Sequence, residues 1–182
     1  MLAYTLLPQS VHPKLHLHLV NERLTYAHAT RYANERLPGR VVVIQTSDVS
    51  VSGDNWDSLT PRSMRGNLFA LSRHELPSCG KTCDCLSMFD GCHDAFVFVP
   101  PLQGGEQMLE QISFRLGGLW GSENRYLYEV LKNNPALKAT NPCKSLRMNH
   151  LHCEGTKAFR PNQDQRRVNL DGKSKQAKPC FL

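Results

Sequence analysis

Runs of apolar residues alternate along the chain with polar segments that carry turn residues. The most apolar run, Val41-Val42-Val43-Ile44, follows a turn at Pro38-Gly39. Consecutive branched residues are typical of a central strand buried on both faces, because neither side of its pleat carries a polar group. Apolar or alternating segments predict further strands at Lys14–Val20, Leu68–Leu71, Ala95–Val99 and Leu146–Cys153.

Three helices are predicted between these strands, the first and third from apolar residues at helical spacing and the second from the glycine pairs that bracket it. Thr25 is expected to cap the first, which runs to about Leu37. A second helix is predicted between Glu106 and Arg115, and a third, capped by Ser122, from about Glu123 to Asn133. Strands that alternate with helices indicate an α/β fold.

The composition is that of a globular protein, and the charge is concentrated at one end. Hydrophobic residues make up 40% and charged residues 21% of the 182 positions. Residues 157–182 carry seven Lys/Arg against two Asp, which is +5 of the formal net charge of +6. We therefore expect a single domain over residues 1–156 and a basic, flexible tail over 157–182. Nucleic-acid binding by the tail is not favoured, because no aromatic residues alternate with its charges.

The sequence contains no run that approaches the length of a membrane span. Residues 1–7 are apolar but lack a basic leader and a small-residue cleavage site, so they are a poor signal peptide. Two locations stay open: the cytoplasm or, if an N-terminal part is missing, the secretory pathway and Golgi.

Four of the seven cysteines lie close together in one loop. They are Cys79, Cys83, Cys85 and Cys92. Disulfide bonds and a zinc site are both possible for such a cluster. The spacing contains no paired Cys-x2-Cys motif, and this favours free or disulfide-bonded cysteines.

Polar residues at the ends of two predicted strands are candidates for chemistry. Asp48 follows the central strand, where a carboxylate can meet a ligand; its alternative role is to cap the next turn. His150 and His152 are two apart in the last strand, so both point to one face and can reach a metal, unless they are ordinary core or surface histidines. Together with Asp48 they would suit Mn²⁺ or Mg²⁺ bridging phosphates.

A series of short motifs covers the chain from about Arg23 to Gly155. In order they are Arg23-Leu24-Thr25-Tyr26 with Tyr32-Ala33-Asn34, the run from Val42 to Val49, Phe69 to Arg73, His93 to Phe98, Leu116 to Arg125, and Asn141-Pro142 with His150-Leu151-His152. The series resembles a family of glycosyltransferase-like proteins with the GT-A fold. The resemblance implies a GT-A-like (Rossmann-like) mixed sheet flanked by helices, and transfer of a sugar from a nucleotide-sugar donor to a hydroxyl acceptor.

The resemblance also implies roles for particular residues. Asp48 would bind the metal and the sugar nucleotide, and His152, with His150, would complete the metal or diphosphate site. Asp94 would touch the acceptor or act as the catalytic base. The remaining substrate-binding positions would be Ser47, Arg73, Gly121, Ser122, Glu123 and Asn124.

The chain departs from the family pattern in two places. The Asp-x-Asp-like element is Ser47-Asp48-Val49-Ser50, with a single carboxylate. The first nucleotide-binding strand is scarcely represented in residues 1–22, which predicts an N-terminally truncated or divergent member. The alternative hypotheses are a non-catalytic Cys/His metal-binding or interaction module and an inactive glycosyltransferase remnant.

Overall fold

The computed structural model describes residues 18–53, 55–76, 85, 93–116 and 121–151. This part of the chain forms a mixed α/β fold, which confirms the predicted class. Its helices are α1 (Tyr26–Arg36), α2 (Gly105–Gln111) and α3 (Ser122–Asn133), with a short 3₁₀ helix at Asn55–Ser58. Its strands are β1 (Val42–Gln45), β2 (Val49–Ser52), β3 (Asn67–Leu71), β4 (Ala95–Phe98), β5 (Lys138–Thr140) and β6 (Arg147–His150).

The strands form a four-stranded mixed sheet in the order β1-β4-β3-β5 and a two-stranded antiparallel sheet of β2 and β6. Only the β3–β5 pair of the larger sheet is parallel. The prediction that the run from Val41 to Ile44 forms the central strand is wrong for the described strands, since β1 lies at the edge of this sheet. The two inner positions belong to β4 and β3, each of which pairs on both sides, and all four residues of β4 are buried.

The core is divided between the two faces of the larger sheet. On one face, Val42, Ile44 and Phe96 belong to a cluster that includes Tyr26 of α1 and Tyr126 of α3. On the other face, alternate sheet residues join side chains of β2 and β6: Phe69, Leu71, Ala95 and Val97 pack with Val49 and Met148. The helices therefore cover one face and the small sheet covers the other.

Helix α1 begins as the sequence predicts, whereas α3 does not. The Thr25 side chain accepts a hydrogen bond from the backbone N–H of His28 at 3.1 Å, and the His28 ring accepts one in return from the Thr25 N–H. For α3 the predicted cap, Ser122, is instead the first helical residue. Gly121 occupies the cap with a φ of 84°, a conformation that glycine adopts without steric cost, and Ser122 is buried.

Some predicted elements are shorter in the structure, and two were missed. β6 ends at His150 rather than Cys153, and His18–Val20 lie outside any strand. Strands β2 and β5 were not expected, because their sequences, Val-Ser-Val-Ser and Lys-Ala-Thr, carry few apolar residues. Several predicted features lie outside the described residues. They are the rest of the predicted first strand, His152, the cysteines at 79, 83 and 92, and the tail at 157–182.

Within the described segments, no helix is long and apolar enough to cross a membrane.

Gly104 allows α2 to begin against the end of α3. A Cβ atom at this position would lie 2.7 Å from Cβ of Met108 and 2.9 Å from Cβ of Asn133, and φ is +113°. We expect Gly104→Ala to lower the free energy of unfolding by about 3 kcal/mol, through strain and overpacking. Gly39→Ala is the control, because its φ is also positive but no atom lies within 4 Å of the added Cβ. Urea denaturation measures both, and equal losses would contradict this account.

Candidate functional site

Backbone hydrogen bonds bring together the segments that carry the candidate residues. The chain continues past β3 alongside β6, where His74 pairs with Asn149 in a parallel bridge. The N–H of His74 donates to Met148 O at 2.6 Å, and the N–H of His150 donates to His74 O at 2.9 Å. Leu151 in turn donates to the carbonyl of Asp48, at 2.8 Å. The turn after β1 and the ends of β3 and β6 therefore lie side by side.

A continuous series of charged side chains runs through this region. His150 Nε2 lies 3.5 Å from Asp48 Oδ2, and His150 Nδ1 lies 2.7 Å from Glu75 Oε2. The other oxygen of Glu75 accepts from Arg73 Nε at 2.6 Å, and Arg73 Nη1 donates to Asp94 Oδ1 at 2.8 Å. We call these five residues the charged network. The structure thus places four predicted site residues in one connected group: Asp48, His150, Asp94 and Arg73.

The charged network is deeply buried except at one end. The side chains of Glu75 and His150 are 0% and 1% exposed, and that of Arg73 is 6% exposed. Asp94 is 13% exposed, whereas Asp48 is 37% exposed. A ligand in solvent would therefore meet Asp48 first, with the imidazole of His150 directly behind it.

Asp48 keeps its negative charge at this exposed end. Burial acts to raise its pKa, but hydrogen bonds from the Thr46 side chain and from its own backbone oppose this effect. The nearby His150 and Arg73 act in the same direction as the hydrogen bonds, and the net pKa is lowered. The carboxylate is therefore available to bind a cation.

In contrast to Asp48, the carboxyl groups of Asp94 and Glu123 have raised pKa values. Burial raises the pKa of Asp94, and the ion pair with Arg73 only partly offsets it. Burial also raises the pKa of Glu123, in the first turn of α3, to about 7, with a further contribution from Asp94. Carboxyl groups with raised pKa values beside an ionised one are a common arrangement for proton transfer.

The other predicted site residues have different surroundings. Ser47 is exposed in the turn between β1 and β2. Gly121 precedes α3, Ser122 is 0% exposed, and Asn124 Oδ1 is buried with no hydrogen-bond partner in the part of the chain that the structure describes. Arg73, by contrast, was predicted to bind substrate but belongs to the charged network, where its guanidinium forms the ion pairs with Glu75 and Asp94.

Whether the site can hold a metal ion depends on the ligand atoms that the described residues offer. No group of three or more His, Cys, Asp or Glu among the described residues could hold a metal. Asp48 Oδ2 and His150 Nε2 are a pair of donors 3.5 Å apart, and Glu75 occupies the other ring nitrogen. Mg²⁺ sites commonly use only one or two carboxylates and take the remaining ligands from phosphates and water. The pair fits a dication that is bound together with a phosphate ligand.

Two residues at the site were missed in the sequence. Glu75 follows Arg73 by two positions after a buried strand, and this alternation places both side chains on one face. That spacing was a usable signal. Cys143 lies outside the cysteine cluster, and nothing in the sequence indicated its partner.

Cys143 forms a disulfide bond with Cys85 across 58 positions, beside the charged network. The N–H of Cys85 donates to Arg73 O at 2.7 Å, and the ring of His74 lies 2.8 Å from Cys143 O. The disulfide therefore flanks the segment that carries Arg73 and Glu75. A disulfide-bonded Cys85 is not a thiolate, so it does not contribute to a zinc site.

Comparison with protein-family models, with curated proteins and with solved structures found no match for this chain. The fold and the site define a mixed α/β protein with a charged network at the ends of its strands, and its function has to be inferred from these residues.

Two buried groups give opposite dependences of stability on pH. Burial lowers the pKa of His93 to about 4, so its contribution to stability falls as the pH drops from 6.5 towards 4. Glu123 has a native pKa of about 7 against 4.5 when unperturbed, so its contribution falls as the pH rises through that range. We expect Glu123→Gln to stabilise the protein at pH 8 by about 2 kcal/mol and to have little effect near pH 4.5.

Urea denaturation between pH 4.5 and 8 measures this effect. Glu35→Gln is the control, because Glu35 is exposed. His93→Gln should show the reverse change, with less loss of stability in acid. A Glu123→Gln variant whose pH dependence equals that of the wild type would contradict the assignment.

Removing the disulfide should destabilise the protein. We expect the Cys85→Ala/Cys143→Ala double variant to lose about 2–5 kcal/mol of unfolding free energy, because the bond closes a long loop. Dithiothreitol should lower the stability of the wild type by at least as much. Peptide mapping without reductant checks the pairing, and a Cys85 joined to another cysteine would contradict it.

Proposed function

We propose that this protein is a glycosyltransferase-like enzyme that transfers a sugar from a nucleotide-sugar donor to a hydroxyl acceptor. The observation that carries the proposal is the charged network. Asp48, His150 and Asp94, which the motif resemblance assigns to the metal and the acceptor, are joined in it through Arg73 and Glu75. These positions are far apart in the sequence, so chance proximity of all three is a poor explanation.

Asp48 and His150 are the proposed protein ligands of Mn²⁺ or Mg²⁺, with His152 as a further proposed ligand. The lowered pKa of Asp48 favours its ionised form, and the imidazole of His150 offers a nitrogen donor through Nε2. When bound, the dication would neutralise the charge that develops on the diphosphate as it leaves. The single acid in the Ser47-Asp48-Val49-Ser50 element makes the donor diphosphate an essential part of this binding site.

Asp94 is the proposed catalytic base. Arg73 holds its Oδ1 at 2.8 Å, whereas the buried Oδ2 has no hydrogen-bond partner among the described residues. An acceptor hydroxyl can donate to Oδ2, and its proton passes to Asp94 while the hydroxyl oxygen attacks the anomeric carbon and the bond to the diphosphate breaks. The raised pKa makes Asp94 a stronger base than an ordinary aspartate.

The start of α3 is the proposed contact for the donor. Glu123 lies in its first turn close to Asp94, and Asn124 Oδ1 is buried without a hydrogen-bond partner in the described ranges. Both groups can accept hydrogen bonds from sugar hydroxyls. Gly121 and Ser122 would set the position of this turn, and Ser47 would contact the nucleotide from the exposed loop after β1.

The main alternative is a non-catalytic Cys/His module. The disulfide between Cys85 and Cys143 counts against a zinc site that includes Cys85. Observation of stoichiometric zinc that is lost on mutation of the remaining loop cysteines would favour this alternative. An inactive remnant of the enzyme would keep the network but fail to bind a donor.

Two substitutions separate the proposed roles. Asp94→Asn should lower the transfer rate by about 10²–10⁴-fold, the usual contribution of a general base, and leave donor binding intact. Asp48→Asn should instead weaken donor binding that depends on Mn²⁺. A panel of UDP-, GDP- and CMP-sugars, assayed for binding and for hydrolysis or transfer, provides the measurement.

Glu106→Gln is the matched control, because Glu106 is 73% exposed and its ion pair is with Arg31, outside the network. It should change neither property. Absence of binding to every donor by the folded wild type, with and without Mn²⁺, would contradict the proposed function.

A further inference from the structure

We infer that Glu75 is the positioning residue of the site: it fixes the ring of His150 so that Nε2 faces Asp48 as a donor for a divalent cation. This inference rests on the proposed function, since it concerns the metal half of the same site. Glu75 belongs to no motif discussed above, and its role follows from the geometry of the charged network.

The hydrogen bonds of Glu75 determine which ring nitrogen carries the proton. Its Oε1 accepts from Arg73 Nε at 2.6 Å, and its Oε2 lies 2.7 Å from His150 Nδ1. An ionised carboxylate only accepts hydrogen bonds, so Nδ1 must be the donor. In the neutral ring, Nε2 then carries the lone pair.

The position of Nε2 agrees with a role as a ligand. It lies 3.5 Å from Asp48 Oδ2, which is longer than the usual range for an N–H···O hydrogen bond. A ring nitrogen and a carboxylate oxygen at this spacing can both bind one cation. A carboxylate that accepts from the other nitrogen is the common partner of a metal-bound histidine, where it sets the tautomer and the orientation of the ring.

Glu75 is itself held rigidly. Its side chain is 0% exposed, and Arg73, which binds its other oxygen, is tied to Asp94. The backbone next to it is fixed by the hydrogen bonds between His74 and β6. Glu75 therefore cannot follow a rotation of the imidazole, and it resists a change of tautomer. Through Arg73 it also connects the metal half of the site to the proposed base.

The experiment compares two buried, arginine-paired glutamates. Glu75→Gln leaves a single acceptor oxygen, which cannot serve both Arg73 Nε and His150 Nδ1–H. Glu129→Gln is the matched control, because Glu129 is 1% exposed and pairs with Arg125 at 2.6 Å within α3, and neither residue belongs to the charged network. Both variants replace a buried carboxylate by an amide of the same shape, so both report the general cost of that change.

The first measurement is the ¹⁵N NMR spectrum of the neutral His150 ring in the metal-free wild type. We expect the proton on Nδ1, and in Glu75→Gln we expect a mixture of tautomers. A wild-type ring with its proton on Nε2 would overturn the inference. This measurement needs neither a metal nor a sugar donor, and it decides the question even if Glu75→Gln fails to fold.

The second measurement is binding of Mn²⁺ in the presence of UDP or GDP, which supplies the diphosphate ligand that the site requires, followed by electron paramagnetic resonance. We expect Glu75→Gln to weaken binding by about 10–100-fold, the usual effect of losing such a partner, and Glu129→Gln to leave it unchanged. Equal losses in both variants would overturn the inference. A wild type that binds no Mn²⁺ in the presence of either nucleoside diphosphate but keeps the Nδ1 proton would refute the metal role in the proposed function, and the orienting role of Glu75 would stand.

Discussion

The site depends on the backbone hydrogen bonds that connect the segment just after β3 to strand β6. Two backbone hydrogen bonds of His74, to Met148 and from His150, join the four-stranded sheet to the two-stranded sheet. Glu75 and His150 are 75 positions apart in the chain, and this connection is what brings them together. The nearby disulfide and the hydrogen bond from Leu151 to Asp48 strengthen the same junction. The active geometry that we propose is therefore a property of how the two sheets are joined.

The junction carries an electrostatic cost that stability alone does not explain. Arg73 and Glu75 are almost fully buried, and removing such ions from water costs several kcal/mol each before their mutual attraction is counted. Apolar residues of similar volume would often stabilise a fold as well or better. We interpret the retained charges as a means of fixing the orientation of His150 and Asp94, which apolar packing would leave undefined.

Helices and strands that follow from the local pattern of apolar residues were predictable from the sequence, whereas features that depend on pairing between distant strands were not. The periodicity of apolar residues identified α1 and β4, and the capping residue Thr25 defined the start of its helix. Pairing between distant segments determines that β1 lies at an edge and that the polar β2 forms a strand at all. Likewise, the chemistry of Asp48 and His150 was visible in their types and spacing, and the spacing of Arg73 and Glu75 placed both on one face, but the contact of Glu75 with His150 becomes identifiable only once the strands are aligned.

The balance of charge in the network links Asp48, the proposed metal ligand, to Asp94, the proposed base. The network holds three carboxylates, those of Asp48, Glu75 and Asp94, and one guanidinium, that of Arg73, so negative charge is in excess when these four groups are ionised. A proton retained on Asp94 is one way to relieve that excess, in accord with its raised pKa. A dication at Asp48 is another, and it would favour the ionised form of Asp94. In the reaction that we propose, the Asp94 carboxylate would therefore be better able to take the proton of the acceptor hydroxyl when a dication and the donor are bound, because the same unbalanced charge acts on Asp48 and Asp94.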